Sequence, residues 1–296
     1  MKRVIISILS AVSLFLCAGG RCIAQDSANL PFQDGENLKI VIHYKWGFNA
    51  DIAEMNLRTT EETLQNGKNV FHIQADASTY KFWDGFFKVR DVYESKFYPD
   101  LKPYYFFRDI SEGGHWAKNW YDWNNGGKNL HAIVIKKGRP DRDTSYTDKV
   151  IIRDLINLIC DFRACDIDAV IGGKKKTYVM AMDKDIIDVS VRFVKREEKN
   201  LGTLGKFNTI KLGIALSPRA KNDDEGSQNF SLDYGEVQNN GQTGEVFYGK
   251  DKIFLWLTDD DNHMPVYFSA PVAVGSINGR VVKIEGNKYP LTSKIN

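Results

Sequence analysis

Side chains alternate between apolar and polar through most of this chain. In "NLKIVIHYKW", Leu38, Ile40, Ile42, Tyr44 and Trp46 point one way and Lys39, His43 and Lys45 the other, with Val41 the one exception. A period of two is that of a strand with one face in a core. "GFNA" at 47–50 turns the chain, and "AEMNLRT" resumes the alternation through Ala53, Met55 and Leu57. "QNGK" at 65–68 is a hairpin signal, because asparagine and glycine tolerate the positive φ of a tight turn. "NVFHIQADA" follows with Phe71, Ile73, Ala75 and Ala77 on one face, and "SEGGHW" and "WNNGGKN" place glycine pairs between further strand-like runs. The later runs "KTYVMAMD", "IIDVSVRFV", "FNTIKLGIAL", "EVFYGKDKIFLWLT", "MPVYFSA" and "RVVKIEG" also read as strands, and "SPRAKNDDEGSQN" at 217–229 reads as a surface loop.

One segment breaks the period. "DKVIIRDLINLICDF" spaces Ile151, Leu155, Leu158, Ile159 and Phe162 as a helical stripe, with Thr147 or Asp148 as N-cap. The expected fold is mainly β: a large curved antiparallel sheet or partly open barrel, rich in meanders, with one packed α-helix near 149–162. The division expected is a cleaved signal peptide at 1–24, an N-terminal extension at 25–36 and one β-rich domain at 37–296.

The leader changes the charge. Lys2 and Arg3 precede the apolar run "VIISILSAVSLFLCAGG", and "CIA" ends in Ala24, the pattern of a secretory leader cut before Gln25. Neither Cys17 after Leu16 nor Cys22 after Arg21 has the small preceding residue that lipid attachment wants, so the expectation is an exported protein, periplasmic or at the outer surface, with no transmembrane helix in the mature chain. Cleavage removes Lys2, Arg3 and Arg21, three of the 40 basic residues and none of the 38 acidic ones, turning +2 into −1. Such a balance speaks against nucleic acid as a partner. Cys160 and Cys165 remain. Continuous helix would hold them about 8 Å apart, beyond the roughly 7 Å a disulfide spans, so a bridge between them requires the helix to end in the interval.

Candidate chemistry is sparse. "LWLTDDDNHMPVYF" sets three carboxylates and a histidine between apolar runs, which makes Asp259, Asp261 and His263 weak candidates for a hard cation. Adjacent aspartates diverge in a strand or turn, however, and the stretch reads better as a hairpin tip. The chain has no G-x-S-x-G, H-E-x-x-H, Walker or dinucleotide motif. Its five histidines, His43, His72, His115, His131 and His263, stand singly. Carboxylate pairs such as Glu61 with Glu62 or Asp183 with Asp185 leave a glycoside hydrolase as a minor alternative. No cofactor and no catalytic residues are expected. Aromatic density is the anomaly: 15 of the 42 residues from Phe82 to Trp123 are Phe, Tyr or Trp. Rings at that density fill a twisted sheet's core, or form a platform for a ligand. "GGHWAKNWYDWNNGG" puts Trp116 and Trp120 on one strand face and Tyr121 and Trp123 on the other.

In its order of segments, "PFQDGENLKIVIHYKWGFNADIAEMNL", "FKVRDVYESKFYPDLKPYYFFRDISEGG", "DLINLICDFRACDID" and "IFLWLTDDDNHMPVYFSAPVAVGSINGRV", the chain resembles the exported proteins grouped as domain of unknown function 3108. That resemblance implies a β-rich periplasmic or surface-exposed protein and carries no activity or catalytic residue across. The functional expectation is therefore a noncatalytic envelope protein. It would bind a lipid-like amphipath or an envelope protein partner on a concave apolar face that includes Phe254 or Trp256, or bind glycan through exposed tryptophans. Trp83, Trp116, Trp120, Trp123, Phe254 and Trp256 are the candidate ligand residues.

Overall fold

The first alternating run forms β1 (Asn37–Trp46), and Gly47, at φ +62°, turns it into β2 (Phe48–Thr63). In this computed structural model, residues 30–183, 185–219, 253–272 and 274–295 are described. The leader, the loop read at 217–229 from residue 220 onward and the start of the run "EVFYGKDKIFLWLT" lie outside them. After β2 come β3 (Asn69–Thr79), β4 (Arg90–Phe97), β5 (Pro103–Glu112), β6 (His115–Asn124), β7 (Asn129–Lys136) and β8 (Arg142–Thr147), each antiparallel to the strand before it.

A second series returns from the other direction. It comprises β9 (Ile152–Arg153), β10 (Lys176–Met182), β11 (Asp185–Asn200), β12 (Lys206–Pro218), β13 (Ile253–Thr258), β14 (Pro265–Pro271), β15 (Ser276–Glu285) and a short β16 (Lys294–Ile295) on β12. β15 pairs antiparallel with β1, so both series merge into a single 16-stranded sheet whose edges are β8 and β9. Among the described strands only the two-residue β9 is parallel to its neighbour, β10.

The edges reveal the curvature. Laid flat, fourteen strand spacings along the order from β8 to β9 would measure about 67 Å across. Yet four residues, 148–151, connect β8 to β9, and five Cα steps reach at most about 19 Å. The sheet therefore curls until its two edges face each other across a narrow seam, an open barrel. Alternate residues of nearly every strand point inward to one core, from Leu38, Ile40 and Ile42 of β1 to Ile210, Leu212 and Ile214 of β12.

The helix inside spans Leu155–Arg163, and all nine of its residues are buried. It starts later than the sequence stripe indicates. Ile152 and Arg153 pair with Val179 and Met180, and the N-cap is Asp154, whose carboxylate accepts from Asn157 N at 2.8 Å. Thr147 closes β8 and Asp148 follows it, so neither caps the helix. A second short helix, Ile167–Ile171, follows. Trp46, which keeps the inward parity of β1, is carried past the core by the Gly47 turn and is 56% exposed.

Candidate functional site

In an antiparallel meander every second connection falls at the same end of the sheet. The β2–β3, β4–β5 and β6–β7 connections share one end, hereafter the cleft end. Between them lies a surface cleft of about 700 Å³, lined by Lys68, Asn69, Tyr98 to Asp100, Lys102 to Tyr104, and Trp123 to Gly127. That size falls within the range of small-ligand sites.

Each wall has a local cause. The β2–β3 hairpin closes with Leu64 N donating to Lys68 O at 2.8 Å around Gly67 at φ +78°, which brings Lys68 Nζ to 5.5 Å from the Tyr98 ring centre. The β4–β5 connection holds Leu101 at φ +63°, a costly conformation for leucine. Two restraints keep it there. The Leu101 side chain is completely buried, and its carbonyl accepts from Arg153 Nη1 at 2.8 Å and from Asn157 Nδ2 at 3.1 Å, which anchors the cleft to the inner helix. In the β6–β7 connection a Cβ on Gly127 would lie 2.9 Å from both Ile151 and Pro103, and φ there is +87°.

Tyr98 and Tyr104 present two tilted rings with centroids 5.7 Å apart. Burial, with Tyr104 and Asp100 alongside, raises the Tyr98 phenol, which keeps its hydroxyl as a donor. Asp100 accepts from Lys102 Nζ at 2.5 Å. Trp123 is buried to 7% exposure, and its Nε1 has no hydrogen-bond partner among the described residues. A buried donor of that kind is costly unless something accepts from it. Rings, amides, a carboxylate and two ammonium groups thus line one opening.

The structure separates the tryptophans that the sequence singles out. Trp123 lines the cleft. Trp120 lies on the opposite face of the sheet, tilted against Phe107 at 5.4 Å, and Trp116 is 40% exposed near the far end of the same strand. Trp83 belongs to the short helix Lys81–Asp84 at the far end, with its Nε1 donating to Asp51 O at 3.0 Å.

Phe254 and Trp256 point away from the core, because Ile253, Leu255 and Leu257 take the inward positions of β13. Their centroids are 6.2 Å apart. Lysine stems cover them: Lys199 Nζ lies 3.9 Å from the Trp256 centroid and 3.7 Å from that of Tyr267, and Lys211 Nζ lies 4.2 Å from that of Phe254. Trp256 Nε1 donates to Glu197 at 2.7 Å. Burial drives the Lys199 amine down to about 8.

In the acidic turn the central residue is Asp260, which the sequence reading passed over. Asp260 is buried and accepts from Thr258 Oγ1 at 2.8 Å, Asn262 N at 3.1 Å and Ser293 Oγ at 2.5 Å. Asp259 pairs with Arg196 at 2.7 Å, Asp261 is exposed, and His263 Nδ1 contacts Arg163 O at 3.0 Å. The three candidate ligands thus face three different surroundings, and no group of three or more His, Cys, Asp or Glu among the described residues is placed to hold a metal ion. Cys160 and Cys165 are buried free thiols on either side of the helix end, both raised by burial, Cys165 to about 11.

Buried charges complete the inner surface. Asp91 and Glu112 lie side by side under β4 and β5, and burial, reinforced by Glu112, lifts Asp91 well above the carboxylate range. Asp183, in the β10–β11 turn at φ +54°, accepts from Arg108, from Lys136 Nζ at 3.0 Å and from Asn119 Nδ2 at 3.4 Å. Burial raises its pKa, but Arg108 and Lys136 outweigh burial and hold the carboxyl below its usual range. Three cavities in the interior measure about 20 Å³ each, room for a water molecule.

Residues 39–282 match the family model described as "Protein of unknown function (DUF3108)". No curated protein matches the chain. Among solved structures it is similar to a beta-barrel-like protein of domain of unknown function DUF1849 from Brucella abortus, at 8% identity and a TM-score of 0.49, over 87% of this chain and 100% of that one. It is also similar to a protein from Bacteroides fragilis described as exported, with a YmcC-like fold, at 8% identity and a TM-score of 0.31, over 86% of this chain and 98% of that one. A third, described as a lipoprotein of Parabacteroides distasonis, has 8% identity and a TM-score of 0.29, over 87% of this chain and 99% of that one.

Proposed function

The chain belongs to the DUF3108 family of proteins of unknown function, and we propose that it is an exported binding protein that holds a glycan in the cleft between its β2–β3, β4–β5 and β6–β7 connections. The observation that carries this reading is the lining of that cleft: the rings of Tyr98, Tyr104 and Trp123 beside the amides of Asn69, Asn124 and Asn125 and the charges of Lys68, Asp100 and Lys102. Aromatic rings stack on the C–H faces of a sugar, and amides, which donate and accept at once, match its vicinal hydroxyls. Export rests on the leader pattern at residues 1–24.

The amphipath reading has less support. An acyl chain needs a long apolar cavity, whereas the concave face is filled by the helix Leu155–Arg163 and the three interior cavities described above are about 20 Å³ each. Phe254 and Trp256 lie on the other face under Lys199 and Lys211.

Titration calorimetry against a panel of neutral and acidic oligosaccharides tests the proposal. Binding is expected, and Tyr98→Ala or Tyr104→Ala is expected to weaken it by about tenfold or more, roughly 1.4 kcal/mol, with the fold unchanged. Heat and tryptophan fluorescence that ignore every oligosaccharide but respond to fatty acids would return the assignment to the amphipath.

A further inference from the structure

The end of the sheet opposite the cleft has a surface of another kind. Trp46 sits at the tip of the β1–β2 hairpin, Phe82 lies in the short helix Lys81–Asp84 between β3 and β4, and Phe86 follows that helix. They are 56%, 70% and 67% exposed, the three most exposed large hydrophobic residues among those described. Phe82, Trp83 and Phe86 form a knot, with centroid separations of 5.1, 5.6 and 5.9 Å. Single exposed apolar residues are ordinary, but a cluster at one pole of a molecule marks an interaction site.

The knot is built rather than loose. Tyr80 N donates to Ile52 O at 3.0 Å, Trp83 Nε1 donates to Asp51 O, also at 3.0 Å, and Phe87 N donates to Trp83 O at 2.9 Å. Phe87 is buried in the space that a Cβ on Gly113 would occupy. Asp84, bridged to Arg90 at 2.6 Å and accepting from Thr79 Oγ1 at 2.5 Å, clamps the helix to β4. The backbone is pinned from below, while among the described residues the outer rings of Trp46, Phe82 and Phe86 stay exposed.

Charge identifies the occupant. Lys45 and Lys81, next in sequence to Trp46 and Phe82, and Lys88, two residues after Phe86, are exposed, and none of the ion pairs among the described residues involves them. Of the nearby carboxylates, Asp84 is bridged to Arg90 and Asp51 is hydrogen-bonded to His43 at 2.9 Å. Around the rings four cations, Lys45, Lys81, Lys88 and Arg90, face these two carboxylates, so the balance is positive. The rings also form a projecting tip. Three rings at these exposures present on the order of 400 Å², about half the roughly 800 Å² per partner of a stable protein interface. A tip of Trp and Phe ringed by lysines is the composition that settles into a bilayer's headgroup region.

We propose that this pole docks on an anionic lipid bilayer, with Trp46, Phe82 and Phe86 entering the headgroup layer and Lys45, Lys81 and Lys88 meeting lipid phosphates. The proposal is independent of what the cleft binds. Strands of about ten residues separate the two poles by about 33 Å, so a docked molecule holds its cleft away from the membrane.

The exported protein is sedimented with vesicles of phosphatidylglycerol and phosphatidylcholine in equal parts, and with vesicles of phosphatidylcholine alone. Binding to the anionic vesicles is expected, about tenfold weaker on phosphatidylcholine and falling as salt rises. The Phe82→Ser/Phe86→Ser variant is expected to lose about tenfold or more on anionic vesicles, and Lys81→Glu/Lys88→Glu likewise. These side chains are exposed, so circular dichroism and thermal melting should not change. Equal retention on both vesicle types, equal retention of the wild type and the ring variant, or no retention at all overturns the proposal.

Discussion

At the scale of single residues, Asp154 shows how far burial redirects a carboxyl group. It caps the inner helix through Asn157 N and accepts from Ser95 Oγ at 2.9 Å, entirely out of solvent. Burial pushes its pKa up from 3.8 to about 6, against the opposing hydrogen bonds from Asn157 and Ser95. A folded-state pKa above the unfolded one means that the folded chain binds the proton more tightly, so this stability is full below about pH 4 and is lost as pH rises to about 6. The loss is on the order of 3 kcal/mol. Asp91, raised by burial and by Glu112, adds a loss of the same sign. Asp154→Asn keeps an acceptor for the cap and removes the ionisation. Urea unfolding between pH 4 and 7 should show a shallower decline for the variant than for the wild type; identical slopes would show that Asp154 does not titrate in this way.

At the scale of elements, the helix Leu155–Arg163 joins segments that are far apart in sequence. Arg163 forms a buried two-pronged pair with Glu36, at 2.5 and 2.8 Å, and donates to Pro31 O at 2.9 Å and Asn262 O at 3.2 Å. One guanidinium thus gathers the segment before β1 and the turn after β13. Breaking a buried pair strands the other charge, so Glu36→Gln or Arg163→Met alone should each cost roughly 3–5 kcal/mol, whereas Glu36→Leu with Arg163→Met should recover much of the loss. Denaturant titration of the four proteins checks this, and single variants within about 1 kcal/mol of the wild type would refute it. The stripe Ile151, Leu155, Leu158, Ile159 and Phe162 made a helix legible, but periodicity assigns Asn157, Asp161 and Arg163 to water. All three are buried: the partners of Asn157 and Arg163 are Leu101 and Glu36, which no local window contains, and Asp161 pairs with Arg153 of the same stretch only because the helix turns both inward. Strand parity likewise gave the opposite faces of Trp120 and Trp123, and the glycine hairpins were readable as turns. What the sequence reading missed was Tyr98 and Tyr104 beside Trp123, since the cleft joins connections about 30 residues apart. Counting hairpins by end, odd against even, is the signal that would have grouped them.

At the scale of the whole molecule, the weak line is the seam where β8 faces β9. Backbone hydrogen bonds join every other pair of neighbours along the sheet order, from β8 through β1 and β15 to β9. Side-chain charges tie the edges instead. Asp183 of the β10–β11 turn takes Arg108 of β5, Asn119 of β6 and Lys136 of β7, and its carbonyl accepts from Tyr121 OH at 2.7 Å. Arg219, past β12, holds Asp148 of the seam linker at 2.6 and 2.9 Å together with Asp188 of β11. Because the Asp183 pKa is depressed below 3.8, its stabilisation is present above that value and is lost as pH falls through and below the carboxylate range. That sign is opposite to Asp154, so stability should peak in mild acid. Asp183→Asn leaves Arg108 and Lys136 without their counter-charge and should cost roughly 3–5 kcal/mol. The seam should open before the rest, because the β1–β15 centre keeps its full ladder. In native-state hydrogen exchange the variant should lose protection first in β8 and β10, with β1 and β15 exchanging only on global unfolding. Uniform acceleration through all strands would instead mean that the barrel opens as one cooperative unit and that Asp183 is not its latch.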